Sequence, residues 1–531
     1  MQRRRFLSTA SAALGLAVLP FGAGPARSAD RARTLRFVPQ ADLAVLDPLG
    51  TTAYVTRNHA LMVFDTLYGI DDQLNPQPQM VEGHTIENDG KTWRLTLREG
   101  LRFHDNEPVL SRDVVASIRR WGKRDIYAGA LMSVVDDLVG VSDRVVEFRL
   151  SRPFRQLPDV LGKVGSNVAA IMPERLAKTD AFTQLSEIVG SGPFKFIARE
   201  RNPGALNVYE KFEGYVPRGG TPSYLAGPKV AHFDRVEWHS LPDPSTAAAA
   251  LQAGEVDWWE QPTSDLTPML RLSRVVKVQN QDPAGLTGLM RFNHMQPPFD
   301  NPAIRRAVLG AIVQSDYMIA AAGDDPAMWR DKMGFFHPDS PMASTAGLDK
   351  FPAKVDLAKV KAEILAAGYK NERVVMIATA DFPVINIMSQ IAADVLQKIG
   401  LNVDYQTADW ATISARMQSK EPVAKGGWSV TCNFTAGTGI YNPAAHTWLR
   451  SNGERAFVGW PSIPEIEKLR LDWFEAPDLA AQQRICREIQ TIAFEQVPYV
   501  PLGFYYQPTA FRSNLTGMLK GVPLFYNIRR T

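Results

Sequence analysis

The chain carries side chains of the types used in catalysis and metal binding, but their spacing matches no reactive motif. It contains no His-Glu-x-x-His, Gly-x-Ser-x-Gly, Cys-x-x-Cys, phosphate-loop or Gly-x-Gly-x-x-Gly sequence. The carboxylate pairs at 71–72 and 324–325 fall in polar, turn-like stretches, which favours solvated loops. No two histidines are four residues apart, as ligands on one helix face would be; they are His59, His84, His104, His232, His239, His294, His337 and His446. We therefore expect no catalytic residue, no metal site, no cofactor and no enzyme activity.

The first 28 residues have the three parts of an export signal. A basic start at 3–5 precedes an apolar stretch that ends at Phe21, and small residues follow up to Ser28. The apolar stretch is shorter than the roughly 20 residues that span a membrane. Arg3-Arg4-x-Phe6-Leu7 is similar to the twin-arginine motif, with a general secretory signal as the alternative. We predict a cleaved signal at 1–28, export by the twin-arginine machinery and a periplasmic protein.

The charge of the chain excludes one class of partner. The formal net charge is +3, but four arginines and no acid lie within the first 28 residues, so the remainder carries −1. A nucleic-acid-binding protein needs a concentrated basic face, so we expect no nucleic-acid partner. The length implies more than one hydrophobic core. Cys432 and Cys486 are consistent with one disulfide or with two buried thiols.

Hydrophobic periodicity predicts alternating strands and helices. Thr34–Val38, Thr92–Leu97 and residues 144–150 alternate as strands do. Ser111 is expected to cap a helix that extends to about Trp121.

A second group of elements begins near residue 280. Asn301 is expected to cap a helix that extends through Ile312, with Pro302 at its first position. A buried strand at 374–378, a helix at 384–399 ended by Gly400 and a strand at 401–405 form a strand–helix–strand unit. Such a unit implies parallel pairing through a right-handed crossover.

Seven short motifs follow one another along the chain. Examples are Gly190-Ser-Gly-Pro-Phe194 and Phe292-Asn-x-x-x-x-Pro-Phe-Asp300; all seven lie at 64–69, 89–105, 111–117, 190–194, 251–257, 292–307 and 400–403. Together they resemble the family 5 solute-binding proteins of ATP-driven importers, which include dipeptide, oligopeptide and nickel binders. The resemblance covers essentially the whole mature chain.

The resemblance implies an α/β architecture, the two-lobe periplasmic binding protein fold with an extra subdomain inserted in the first lobe. We expect the first lobe at 30–72, 186–280 and 500–531, the inserted subdomain at 73–185 and the second lobe at 281–499. It further implies a monomer that binds a small, peptide-like or otherwise polar organic solute in the cleft between the lobes. An inner-membrane ABC permease would be its partner; a sensor that hands the solute to a receptor is the alternative that the sequence leaves open.

The resemblance also implies which residues reach the cleft. In this family a Gly-Trp segment of the second lobe, preceded by an earlier Trp, faces the ligand; here these are Gly427, Trp428 and Trp410. Core packing of both indole rings is the alternative. Loops of the first lobe and the inserted subdomain add further side chains. The implied set of ligand contacts is Thr52, Tyr54, Tyr127, Trp410, Arg416, Gly427, Trp428, Ser429, Thr431 and Asn433.

Two departures from the family pattern bear on the ligand. Peptide binders carry an Asp three residues after that Trp to pair with the ligand's amino group, whereas this chain has Thr431. Dipeptide binders also place an Arg near 384, where this chain reads Asp381-Phe-Pro-Val384. Removing such a charged partner from a buried site costs about 2–5 kcal/mol, so ordinary dipeptides are expected to bind poorly. We expect Asp381 to cap the following helix, with a ligand cation as the alternative.

Two alternatives to an organic-solute binder remain at this stage. A metal-chelate binder of the same family is one, although the scattered histidines do not favour it. A secreted hydrolase is the other, and it requires a nucleophile and a base in contact, for example around Ser429 or Thr431.

Overall fold

The computed structural model describes residues 33–531, and the predicted export signal at 1–28 lies outside the described residues. These residues form an α/β structure with two large sheets. The first has the strand order Val276–Gln279, Thr509–Arg512, Trp258–Trp259, Thr34–Val38, Arg235–His239, Leu206–Lys211 and Phe194–Phe196. Thr34–Val38 is central and parallel to both of its neighbours. Phe37 packs there against three aromatic rings at centroid distances of 4.8–5.4 Å, those of Trp238, Trp258 and Phe525.

The second sheet forms the core of the other lobe. Its order is Trp329–Arg330, Val500–Tyr505, Leu286–Phe292, Val430–Ala436, Arg373–Thr379 and Asn402–Ala408. The last two strands are parallel and flank the helix Pro383–Lys398 in sequence, which confirms the predicted strand–helix–strand unit. Gly400 follows the helix at a φ of +91°, a left-handed conformation that favours glycine.

Within residues 33–531 the chain passes between the two sheets twice, and the two connections run side by side. Val276–Gln279 continues into Leu286–Phe292, and Val500–Tyr505 returns to Thr509–Arg512. These strands pair with each other antiparallel on both sides of the crossing. The crossing is therefore a paired ribbon, an arrangement suited to hinge rotation of the lobes.

One predicted lobe boundary changes. Residues 500–531 are expected in the first lobe from sequence, whereas Val500–Tyr505 pairs with Leu286–Phe292 in the second sheet. All six residues of this strand are buried, so their burial pattern is compatible with either sheet. The strand pairing therefore determines to which sheet the strand belongs.

The inserted subdomain contains a separate four-stranded antiparallel sheet. Its order is Val81–Glu87, Thr92–Leu97, Val145–Leu150 and Val135–Gly140, which confirms the predicted strands at 92–97 and 144–150. Two short hairpins pair Tyr68–Ile70 with Pro76–Pro78 and Leu515–Thr516 with Arg529–Arg530.

The helices follow the predicted pattern, with two shifts at their ends. Ser111 is the first residue of its helix instead of the cap, and the Asp113 carboxylate accepts the Leu110 N–H. Asn301 caps the next predicted helix as expected, but that helix ends at Leu309, before Ile312. From residue 34 onward the α-helices are Tyr54–Val63, Ser111–Gly122, Ile126–Met132, Leu157–Leu161, Glu174–Ala177, Pro244–Ala253, Thr267–Leu272, Pro302–Leu309, Gln314–Ala322, Leu357–Ala366, Pro383–Lys398, Trp410–Arg416, Pro464–Glu475 and Leu479–Gln496.

Two further sequence questions are answered by the described residues. From residue 33 onward, no helix combines the length and the apolar character that crossing a bilayer requires. Cys432 and Cys486 are both buried free thiols, and burial raises the pKa of each to about 12.

A buried ion pair joins the inserted subdomain to the first lobe. The Arg120 guanidinium donates to both carboxylate oxygens of Asp47, at 3.1 and 2.7 Å, and to the carbonyl of Thr183 at 3.0 Å. The two side chains are only 2% and 1% exposed. Because a charge left alone in such a site keeps its desolvation penalty, the pair is a fixed link between the two parts.

We predict that Arg120→Met lowers the free energy of unfolding by about 3–5 kcal/mol, because Asp47 then stays buried without its cation. Arg119→Met is the matched control, since the Arg119 side chain is 55% exposed and its loss is expected to cost less than about 1 kcal/mol. Urea denaturation of the two variants measures the difference. Equal losses of stability would contradict the assignment.

Candidate functional site

A cavity of about 1860 Å³ lies between the lobes. Ordinary small-molecule sites occupy roughly 300–1,000 Å³, so this cavity has room for a large solute or for a smaller one with water. Its walls come from three parts of the fold: the first lobe (for example Thr52 and Tyr54), the inserted subdomain (Tyr127) and the second lobe (Trp410 and Asn433).

The aromatic wall of the second lobe follows from the strand–helix–strand unit. Phe382 immediately precedes the helix Pro383–Lys398, and Trp410 is the first residue of its own helix. Both follow the carboxyl ends of parallel strands, the edge of an α/β sheet at which ligands generally bind. Phe382 contacts Trp410 and Phe434 edge-on, at ring-centroid distances of 5.8 and 5.5 Å. These three rings form a continuous apolar surface in the cavity.

Asp381 and Asp409 lie beside this wall and hold the backbone at the start of the Trp410 helix. Asp381 accepts the Trp410 N–H at 2.7 Å and the Thr379 hydroxyl at 2.6 Å. Asp409 caps the same helix through the Thr412 N–H. The expected cap of Asp381 on Pro383–Lys398 is therefore wrong, because no side chain caps that helix and Asp381 stabilises the next one.

Tyr54 bridges the two lobes across the cavity. It begins the first-lobe helix Tyr54–Val63, and its hydroxyl accepts the backbone N–H of Ala436 in the second lobe at 2.6 Å. The centroids of the Tyr54 and Phe434 rings lie 5.9 Å apart. The Arg57 guanidinium lies 4.5 Å from the centroid of the Tyr54 ring. Tyr54 thus contributes both a cavity surface and a contact that depends on the closeness of the lobes.

The inserted subdomain closes the opposite side. Tyr127 lies 6.0 Å from the ring of Phe474 in the second lobe, and Phe154 stacks on the same ring at 5.6 Å. Asp125 caps the Tyr127 helix and forms an ion pair with Lys163.

Asp159 differs from the other carboxylates of this corner. It lines the cavity half-buried, and within residues 33–531 no other residue donates a hydrogen bond to its side chain or forms an ion pair with it. Burial raises the pKa of Asp159 from 3.8 to about 6.

The structure brings together five of the ten sequence-predicted site residues. Thr52, Tyr54, Tyr127, Trp410 and Asn433 all line the cavity. Contact of these five with a ligand stays a prediction.

The other five lie behind the wall. The Trp428 side chain is fully buried, donates its indole N–H to the Met417 carbonyl at 3.2 Å and packs 6.2 Å from the Trp460 ring. Arg416 donates to the carbonyls of Gly426 and Gly427. The expected roles of Trp428 as a ligand wall and of Arg416 as a ligand contact therefore do not match this placement, because both side chains are used in packing the segment.

The remaining three expected contacts also belong to the scaffold. A Cβ on Gly427 would lie 1.8 Å from the Glu421 carbonyl oxygen, so close packing accounts for this glycine. Ser429 accepts the Val375 N–H, and Thr431 donates to the Cys432 carbonyl. Both hydroxyls are buried, and among the described residues neither bonds to a histidine or a carboxylate, so the nucleophile–base pair that a hydrolase needs is not formed there.

Two cavity residues that matter for the site, Phe382 and Asp159, are not among the ten predicted contacts. Phe382 carries a usable signal, since it directly precedes a helix that starts at the carboxyl end of a buried parallel strand. Asp159 carries no sequence signal, because what distinguishes it is that no other residue pairs with it in the folded structure, within residues 33–531. The residues 33–531 contain no group of three or more histidine, cysteine or acidic side chains placed to hold a metal ion.

Comparison with known proteins agrees with this fold and cavity. The family model of the bacterial extracellular solute-binding proteins, family 5 middle, matches residues 75–446. A probable peptide ABC transporter periplasmic-binding protein of Sinorhizobium fredii is 34% identical over 492 residues, which are 92% of either chain. The glutathione-binding protein GsiB of Salmonella typhimurium is 24% identical over 488 residues, 90% of either chain. The two-lobe cleft and these matches define a solute-binding protein.

The chain belongs to family 5 of the bacterial extracellular solute-binding proteins. Two solved structures share the fold with a TM-score of 0.79 each. One is AgaA from A. tumefacien R10 in complex with agropinic acid, at 22% identity and with coverage of 94% of this chain and 99% of that one. The other is DppA from Helicobacter pylori in complex with the peptide STSA, at 21% identity and with coverage of 95% and 99%.

We predict that Asp159→Asn stabilises the ligand-free protein above pH 6 and not below pH 4. The raised pKa means that the folded state holds the proton more tightly than the unfolded state, so ionisation of Asp159 destabilises the fold as pH rises from about 4 to 6. The gain at pH 7.5 is about 1–2 kcal/mol, allowing for the partial exposure of the carboxylate. Asp125 and Lys163, which line the same cavity, are paired with each other.

Thermal unfolding of wild type and variant from pH 4 to pH 7.5 measures this difference. Asp265→Asn serves as the control, since Asp265 is an exposed carboxylate of the same cavity. A difference that is constant across this range would show that burial does not disfavour the charged form of Asp159.

Proposed function

We propose that the protein captures a polar organic solute, peptide-like in size, in the cavity between its lobes and delivers it to an inner-membrane ABC permease. One observation carries this proposal: the cavity is walled by both lobes and by the inserted subdomain at once. A solute that contacts all three walls binds the closed arrangement more tightly than the open one and so stabilises it. The permease then recognises the closed protein.

The composition of the walls supports an organic solute of mixed character. Phe382, Trp410 and Phe434 offer flat apolar surface, while Thr52 and Asn433 offer hydrogen bonds. The S. fredii relative is named for peptides and GsiB for glutathione, so peptide-like solutes are the starting class.

Ordinary free dipeptides are nevertheless proposed to bind poorly. Thr431 is buried and uncharged where peptide binders present an Asp, and the chain reads Asp381-Phe-Pro-Val384 where dipeptide binders carry an Arg. The α-amino and carboxylate groups of a dipeptide would therefore lose the partners that compensate for their desolvation.

The proposal is tested by identifying what copurifies with the protein. We expect native mass spectrometry to detect a bound organic compound that denaturation releases. The stripped protein is then titrated with that compound by calorimetry. Failure to find any compound, together with no binding in a screen of peptides and other polar metabolites, would contradict the proposed function.

We predict that Trp410→Ala weakens binding of that compound roughly tenfold or more, because Trp410 lies half-buried on the cavity wall. Trp428→Ala is the matched comparison. It removes a fully buried ring, so it is expected to lower stability by about 3–5 kcal/mol and to leave the affinity of the folded fraction nearly unchanged. The opposite pattern would restore Trp428 as the ligand wall.

We also propose that the protein works in the periplasm after cleavage of the signal at 1–28 and reaches it by the twin-arginine route. The Arg-Arg-x-Phe-Leu sequence at 3–7 motivates this assignment. Replacing Arg3 and Arg4 by Lys is expected to leave the precursor in the cytoplasm, as measured by cell fractionation. The same double replacement leaves a general secretory signal basic and active, so an unchanged periplasmic yield would assign the protein to that route.

A further inference from the structure

The ionisable side chains of the cavity are mostly acidic. Four bases line it, namely Lys123, Arg124, Lys163 and Arg271, together with eight aspartates. Numbers of charges alone do not identify a site, because most of these aspartates hold backbone or pair with a neighbour. A charge that no other residue of the protein pairs with is the feature that points to a ligand.

The bases offer no buried partner for a ligand anion. Lys163 is paired with Asp125, and Arg124 donates to the Leu49 carbonyl at 3.1 Å while its guanidinium lies 4.8 Å from the Phe182 ring. Lys123 and Arg271 are exposed to solvent. A carboxylate on the solute would therefore be desolvated without a free cation to compensate for it.

In contrast to these bases, Asp159 is a half-buried charge that is available to a ligand of opposite charge. Asp125, Asp381 and Asp409 each accept a backbone N–H, whereas among residues 33–531 Asp159 receives nothing from any other residue. A half-buried carboxylate whose hydrogen bonding inside the protein is limited to its own backbone N–H costs free energy in the empty protein. A cation arriving from the cavity removes that cost and gains a charge-assisted hydrogen bond.

The surroundings of Asp159 fit a bound cation. Tyr127 is close enough to Asp159 that the carboxylate raises the pKa of its phenol, after the larger effect of burial, and its ring supplies an aromatic neighbour. Phe474 of the second lobe packs on Tyr127 and Phe154, and Arg152 pairs with Glu475 beside it. These contacts join the inserted subdomain to the second lobe next to Tyr127.

We propose that Asp159 is the subsite for a cationic group of the solute, an ammonium or guanidinium ion, and that the solute carries no carboxylate that must be buried. This inference rests on the proposed function, since it specifies the charge class of the solute in the same cavity. It places the anionic contact on the inserted subdomain, away from the position of Thr431.

The test uses two sets of probes, which differ in whether the molecule carries a cation, a carboxylate or neither charge. One series contains amines without a carboxylate: alanyl-alanine amide, lysine amide and agmatine. The other contains N-acetyl-alanyl-alanine, which has a carboxylate and no amine, and N-acetyl-alanyl-alanine amide, which has neither. Wild type, Asp159→Asn and the control Asp265→Asn are titrated with each probe by calorimetry at pH 7.5.

We expect members of the amine series to bind wild type, to bind Asp159→Asn at least tenfold more weakly and to bind Asp265→Asn within twofold of wild type. The thermal midpoint of Asp159→Asn shows that the variant is folded. Equal or tighter binding of the acetylated probes, or an anionic copurifying compound whose affinity does not respond to Asp159→Asn, would overturn the inference and leave the proposed function standing. No binding by either series and no copurifying compound would overturn both.

Discussion

The paired crossing between the lobes is the constraint on which the rest of the structure depends. Because the strands at 276–292 and 500–512 run side by side, the two sheets are tied at one edge and can separate elsewhere. The carboxyl ends of the parallel strands in the second lobe open into the resulting gap, so the loops after them become cavity walls. The Tyr54 hydroxyl accepts the Ala436 N–H across this gap, so this hydrogen bond depends on the distance between the lobes.

The inserted subdomain turns this gap into an enclosed site. Its link to the first lobe is rigid, since Arg120 and Asp47 are buried with their charges matched. Its contact with the second lobe depends on the Phe474 ring and an exposed ion pair of Arg152, neither of which requires permanent burial of charge. The subdomain is thus fixed to one lobe and makes lighter contact with the other, as a closing wall requires.

Charges in the cavity show how function and stability oppose each other. Aspartates such as Asp381 and Asp409 stabilise the fold by holding the N–H groups at the start of the Trp410 helix. Asp159 does the reverse, because burial raises its pKa to about 6 without any compensating contact from its neighbours. A group that destabilises the empty protein in this way stores free energy that a complementary solute recovers on binding.

The sequence by itself determined the family and the local elements. Alternation at Thr92–Leu97, the Asn301-Pro302 cap and the spacing before Gly400 are local patterns that a few consecutive residues display. Tertiary structure decided the assignment of Val500–Tyr505 to the second sheet, the burial of Trp428 and the solitary state of Asp159. The physical reason is that strand partners, burial and missing partners are properties of residues distant in sequence. A buried Trp and a cavity Trp have the same local pattern, and only the packing around Trp428 and Trp410 distinguishes them.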